Sequence, residues 1–304
     1  MKKTIFFVLA AVALIMGCQK QPTGPARISG TILNADTLVV RFIEGRNADT
    51  ITLAPDGGFI FDKEITKAVT GNLVVERKSF SVYLVPGKEL NVTVDYADWD
   101  NTIVFGGDLK AVAEYLLEKN QIQRAWSRTM MANYLKEPAD YRVSRDSLTA
   151  AFSDLLATKE AEDGFDRDFA SKEKLAIIYA QVMDMKNFAP AHQYYAKKDT
   201  VILPDDWKSL ENGLDLSNPL LVDIPAAMNY LSGYIAENAQ KEAGLTGDLW
   251  GKPEFLAAKF DFIRKNFTNP EMVETFMYRD LGQQIDGNGI AGIDAQLLDY
   301  YALG

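Results

Sequence analysis

The chain reads as an α+β protein: an N-terminal antiparallel β-sandwich followed by an irregular all-α helical domain. Three features predict this. Up to residue 107 the apolar residues recur with a period of two, so that Leu38, Val40 and Phe42 share one strand face and Leu90, Val92 and Val94 another. At Gly106-Gly107-Asp108 the period lengthens to about 3.6, and Leu109, Val112, Leu116, Ile122, Trp126 and Met130 form one helical stripe. The punctuation changes at the same point, from Pro-Gly turns before it to prolines at helix starts after it.

The first element is an address. Lys2 and Lys3 precede an apolar run from Ile5 to Met16, which ends in Leu14-Ile15-Met16-Gly17-Cys18. A basic start, a short greasy core, a small residue and then cysteine is the pattern of a signal peptide with a lipobox. Residues 1–17 are expected to be removed and Cys18 to take lipid. The run is roughly 12 residues, against about 20 needed to cross a bilayer, so it is not read as a permanent span. Cys18 is the only cysteine of the 304 residues, so its acylation leaves no thiol for a disulfide or a nucleophile. Several acyl chains, at about 0.8 kcal/mol per buried CH₂, would hold the protein on a membrane. Residues 18–26 then form a tether with Pro22, Gly24 and Pro25. No acidic run follows Cys18, and the expected location is the bacterial cell envelope, on the outer membrane and facing the periplasm.

The sandwich is expected over residues 27–107, with strands at 28–33, 37–43, 50–53, 59–64, 72–76, 80–85, 89–95 and 102–105. Pro55-Asp56-Gly57-Gly58 has the chemistry of a hairpin turn, and Pro86-Gly87 that of the middle of a type II turn. Short strands at this spacing pack as two sheets.

The helical domain is expected over 108–304. Asp108 is placed as an N-cap, and helices follow at 144–162, 168–185, 205–211, 224–243, 253–266, 270–281 and 290–302. Pro253 and Pro270 sit where a first helical turn tolerates proline, each followed by a glutamate on the dipole-favoured end. Gly164, Gly213, Gly244 and Gly287 read as stops. No fixed repeat length emerges.

Charge narrows the function. The chain carries a formal charge of −10, and from Asp108 onward it holds 21 basic against 31 acidic residues. An acidic body lacks the clustered Lys and Arg that displace counterions, so no nucleic-acid partner is expected. His192 is the single histidine. With no second histidine and no free thiol, the common His/Cys zinc sites and a Cys–His dyad are excluded, and no metal or cofactor is expected. His192 is expected beside a loop, without a nucleophile elbow to complete a triad. Asp205-Asp206, Glu162-Asp163, Asp166 and Asp168 read as solvated acidic faces, and Asp286-Gly287-Asn288-Gly289 as a turn between helices. No P-loop or dinucleotide fingerprint occurs, and no catalytic residue is assigned.

Aromatic residues gather in the second half. Tyr194, Tyr195, Trp207 and Trp250 are the candidates for a binding cleft, which would take a peptide, a protein client or a sugar. Asp199-Thr200-Val201 is similar to an O-glycosylation signal of some Gram-negative envelope systems, which makes Thr200 a candidate acceptor.

The order of parts resembles a known family. A lipobox, a sandwich opening Ile28-Ser29-Gly30-Thr31-Ile32, a central Tyr83-Leu84-Val85-Pro86-Gly87-Lys88 turn, a strand ending Phe105-Gly106-Gly107 and then helices: this layout is similar to the N-terminal part of TlpA-like thioredoxin-family lipoproteins. The resemblance implies a sandwich of unknown function, then helices, then a thioredoxin module with a CxxC pair. Here there is no such pair, and the sequence closes at Ala302-Leu303-Gly304, where that module is expected to begin. No catalytic residue therefore carries over. The expectation is a lipid-anchored envelope binding module without thiol–disulfide exchange. The alternative is a lipoprotein that binds or processes glycans through an acidic, aromatic cleft in the helical half.

Overall fold

A computed structural model describes residues 24–35 and 38–303. The leader, Cys18, most of the tether, and Asp36 and Thr37 lie outside the described residues. The remainder divides between Lys110 and Ala111 into two compact units.

The first unit contains two four-stranded sheets. One has the order β4-β1-β7-β8, built from β4 (Gly58–Lys63), β1 (Ala26–Leu33), β7 (Glu89–Asp95) and β8 (Val104–Gly107). The other has the order β3-β2-β5-β6, from β3 (Asn47–Ile51), β2 (Val40–Glu44), β5 (Val69–Val75) and β6 (Lys78–Leu84). The period-two pattern sets the register. Ile28, Ile32, Leu90, Val92 and Val94 are buried from the first sheet, and Val40, Phe42, Leu73, Val75, Phe80 and Val82 from the second. The two sheets meet through aromatic pairs, Phe42 with Phe61 at 5.6 Å and Phe80 with Phe105 at 5.4 Å between ring centres.

Three details depart from expectation. First, β1 and β7 run parallel, in register Ile28↔Leu90 to Leu33↔Asp95, within an otherwise antiparallel arrangement. Second, Pro55–Gly58 is a tight turn closed by Gly57 N–H to Ala54 C=O at 2.9 Å, but it links β3 of one sheet to β4 of the other rather than forming a hairpin within a sheet. Third, a short helix α1 (Trp99–Thr102) precedes β8, with Trp99 buried against Phe80. The Pro86-Gly87 turn forms as its residues dictate, with Gly87 at φ +69° and Lys88 N–H donating to Val85 C=O at 3.1 Å.

The second unit is helical. Its elements are α2 (Lys110–Arg128), α3 (Met130–Tyr134), α4 (Pro138–Glu160), α5 (Arg167–Ala196), α6 (Trp207–Asn212), a 3₁₀ turn (Pro219–Asp223), α7 (Pro225–Glu242), α8 (Pro253–Asn266), α9 (Pro270–Asn288) and α10 (Asp294–Tyr301). Helix α5 packs on α4 and α7, α7 on α8, and α8 on α9. Tyr115 of α2 is buried and donates to Glu173 of α5 at 2.7 Å. One core joins Leu231 and Ile235 of α7, Phe260 and Ile263 of α8, and Phe276 and Met277 of α9. A second gathers Tyr141, Met185, Phe188 and Trp207.

Helix ends correct several expectations. Asp166 caps α5, accepting from Phe169 N–H at 2.9 Å, so the helix starts ahead of Asp168. It then continues to Ala196 through Pro190 rather than stopping near Met185. The reason is packing: Phe188 and His192 are buried on one face while Pro190 lies exposed on the other. Helix α9 likewise runs through Gly282 and Gly287 to Asn288, and its left-handed exit is Gly289 at φ +77°. Asp108 accepts from Glu89 N–H at 3.1 Å, tying the end of the sandwich together. Among the described residues no helix is long and apolar enough to cross a membrane.

Candidate functional site

A cavity of about 250 Å³ opens in the helical unit between α7, the 249–252 segment, α8 and α9. Each wall follows from local sequence. Pro253 starts α8 and turns Phe255, Leu256 and Lys259 toward the space. The uninterrupted course of α9 brings Asp280, Gln283, Gln284 and Asn288 to the opposite side, successive turns of one face. Ser232 and Ala236, four apart on α7, close the back with small side chains.

At the mouth stands Trp250, 71% exposed. Its backbone N–H donates to Asp248 Oδ1 at 3.1 Å, and its indole lies against the open backbone of Gly287. The next residue, Gly251, has φ +71°, and a Cβ there would collide with the side chain of Asn288. Gly251 C=O accepts from Gln284 Nε2 at 3.2 Å, which ties the segment to α9 directly after Trp250.

The floor holds an ion pair. Lys259 Nζ lies 2.9 Å from Asp280 Oδ1, with side chains 13% and 10% exposed. The same ammonium stands 5.2 Å from the centre of the Phe255 ring. Burial pushes the Asp280 carboxyl above its ordinary range, and the neighbouring Lys259 charge pulls against that shift without cancelling it.

Two other depressions are chemically poorer. One of about 70 Å³ lies among Trp126, Tyr134, Tyr141 and Asp184, room for a couple of waters at about 30 Å³ each. A wider trough of about 530 Å³ runs along α8 and α10, and its Asp299 is taken by Arg264 at 2.6 Å. Among the described residues no group of three or more His, Cys, Asp or Glu is placed to hold a metal ion.

The four aromatic candidates do not converge. Only Trp250 lines the main cavity. Trp207 is buried among Tyr141 and Phe188, at 6.2 and 5.3 Å between ring centres, and is a core residue rather than a cleft wall. Tyr194 is exposed on the end of α5, and Tyr195 stacks on Tyr134 at 5.9 Å. Thr200 is exposed in the loop after α5. His192 lies inside α5, buried, not beside a loop. Its Nδ1 sits 2.7 Å from Tyr134 C=O. A carbonyl only accepts, so Nδ1 carries the hydrogen and the ring serves as a structural tie. The sequence reading missed Lys259, Asp280, Gln283 and Gln284.

Set against models of known protein families, curated proteins and solved structures, the chain matches none.

Proposed function

We propose that this chain is a lipid-anchored binding module of the bacterial envelope, tethered through Cys18 and contacting its ligand at the Trp250 cavity. The observation that carries this is an exposed indole in the lining of a cavity that also holds a largely buried ion pair. A large apolar side chain held in water at the rim of a polar-floored recess is the arrangement of a contact surface, since burying it would otherwise add stability. The lining offers one carboxylate, Asp280, and Lys259 occupies it. Binding, rather than acid–base chemistry, is what such a floor supports. The lipobox residues and the layout shared with TlpA-like lipoproteins support the envelope anchor and a non-catalytic role.

The glycan reading concerns the same place, and the floor favours recognition over processing. Glycoside hydrolysis uses two carboxyl groups about 5–10 Å apart, and the cavity presents one. Two measurements test the whole. Labelled palmitate is expected to enter the wild type and not Cys18→Ser. Panels of extended peptides and of oligosaccharides are expected to include members that change the Trp250 signal saturably. Unlabelled wild type would remove the anchor, and silence from both panels would remove the site.

A further inference from the structure

Resting on the reading of the Trp250 cavity as a ligand site, we infer that its ligand is a pyranose, either a free sugar or the terminal ring of a glycan, stacked on Trp250 with its hydroxyls on the polar floor. The lining sets Leu249, Phe255 and Leu256 beside Asp280, Gln283 and Asn288, so an apolar guest answers only part of it. A leucine or phenylalanine side chain entering this space would displace water from Asp280, Gln283 and Asn288 and return no hydrogen bond to any of them. A ring bearing hydroxyls along its edge returns both donors and acceptors. Planar amides and a carboxylate are suited to receive them, since each amide offers both roles and a carboxylate has more lone pairs than one lysine fills.

Charge points the same way. Lys259 and Asp280 neutralise each other at 2.9 Å in a largely buried setting. A guest placing its own carboxylate or ammonium beside that pair would compete with it, whereas a hydroxylated ring adds to it; the exposed Lys252, also in the lining, can meet an acidic substituent of the ring from the solvent side. The mouth supplies the complementary half. An aromatic face carries the negative side of its quadrupole, and the C–H bonds along one face of a pyranose present weak positive charge to it. Trp250 offers such a face, with its backbone N–H bonded to Asp248 and its indole next to Gly287. The volume, about 250 Å³, equals roughly eight waters. That suits a single ring and leaves further residues of a glycan outside in solvent.

The test uses the full mature chain, with the Trp250 indole N–H followed by NMR. The panel is glucose, galactose, mannose, N-acetylglucosamine, N-acetylgalactosamine and glucuronate, with their methyl glycosides and disaccharides, against a panel of leucine- and phenylalanine-bearing peptides. At least one pyranoside is expected to shift the Trp250 resonance saturably at millimolar concentration or below. Gln283→Ala, followed at the same resonance, and Trp250→Ala, followed by isothermal titration calorimetry with the same pyranoside, both at exposed positions, are each expected to weaken that binding about tenfold, with the circular dichroism of the chain unchanged. If no pyranoside saturates Trp250 at tens of millimolar while a peptide does, the sugar inference falls and the site stands. If neither panel does, the site falls with it.

Discussion

Lys259 and Asp280 interrupt apolar stripes, Lys259 among Leu256, Phe260 and Ile263, Asp280 among Met272, Phe276, Met277 and Leu281. A charge on each of two buried faces was visible in the sequence; that the two face each other was not, because pairing depends on how α8 lies on α9. Lys259→Met would strand a buried carboxylate, and is expected to lower stability by about 3 kcal/mol at neutral pH. The deficit should shrink on acidification, because the stranded carboxyl can take a proton. Urea melts of wild type and variant across that range check this. The sign for the wild type follows from the raised Asp280 pKa. Between the unfolded and folded values the native chain binds more protons, so this residue's contribution is greatest below the unfolded value and declines as pH rises through the folded one. Asp280→Asn should abolish that part of the slope. Trp250 yields a simpler expectation. Trp99 and Trp207 are buried, Trp126 is half-buried and Trp250 is 71% exposed. Trp250→Phe should therefore remove most acrylamide-quenchable emission while shifting stability by no more than about 0.5 kcal/mol.

At the scale of elements, strands were legible where one face is buried, and helices where proline or an acidic cap marks the start. Strand β7 and helix α8 match their expected ranges because alternation and a first-turn proline leave little freedom. Ends were least legible. The expected helix ended at 185, yet α5 runs on through Pro190, because the buried anchors Phe188 and His192 outweigh one missing hydrogen bond. Proline inside a helix costs about 3 kcal/mol relative to alanine. Pro190→Ala, at an exposed position that restores a donor for Lys186 C=O, is expected to raise stability by about 1–3 kcal/mol in urea or thermal melts. In the sandwich, Gly30 has φ +146°, and a Cβ there would collide with the Val92 carbonyl oxygen of the parallel neighbour. Gly30→Ala is expected to cost about 3 kcal/mol or more by the same measurement.

At the scale of the molecule, the α+β class was legible because the hydrophobic period changes once, near residue 107. The cavity was not legible as a whole: its lining comes from three helices and a short segment, and only its exposed tryptophan stood out. The acidity of the residues from Asp108 onward sets a further expectation. Self-repulsion within that part is screened by salt, with a Debye length near 10 Å at 0.1 M. Raising sodium chloride from about 10 mM to about 0.5 M should move the urea midpoint of the helical unit, followed by far-ultraviolet circular dichroism, to higher values. One feature of the sandwich reaches beyond its static form. Strand β1 is central in its sheet, flanked by β4 on one side and β7 on the other. It is made early and must wait for roughly sixty further residues before its second neighbour exists. A ribosome delivering this chain from its N-terminus thus holds a half-zipped sheet, one strand edge open, until Glu89–Asp95 emerges.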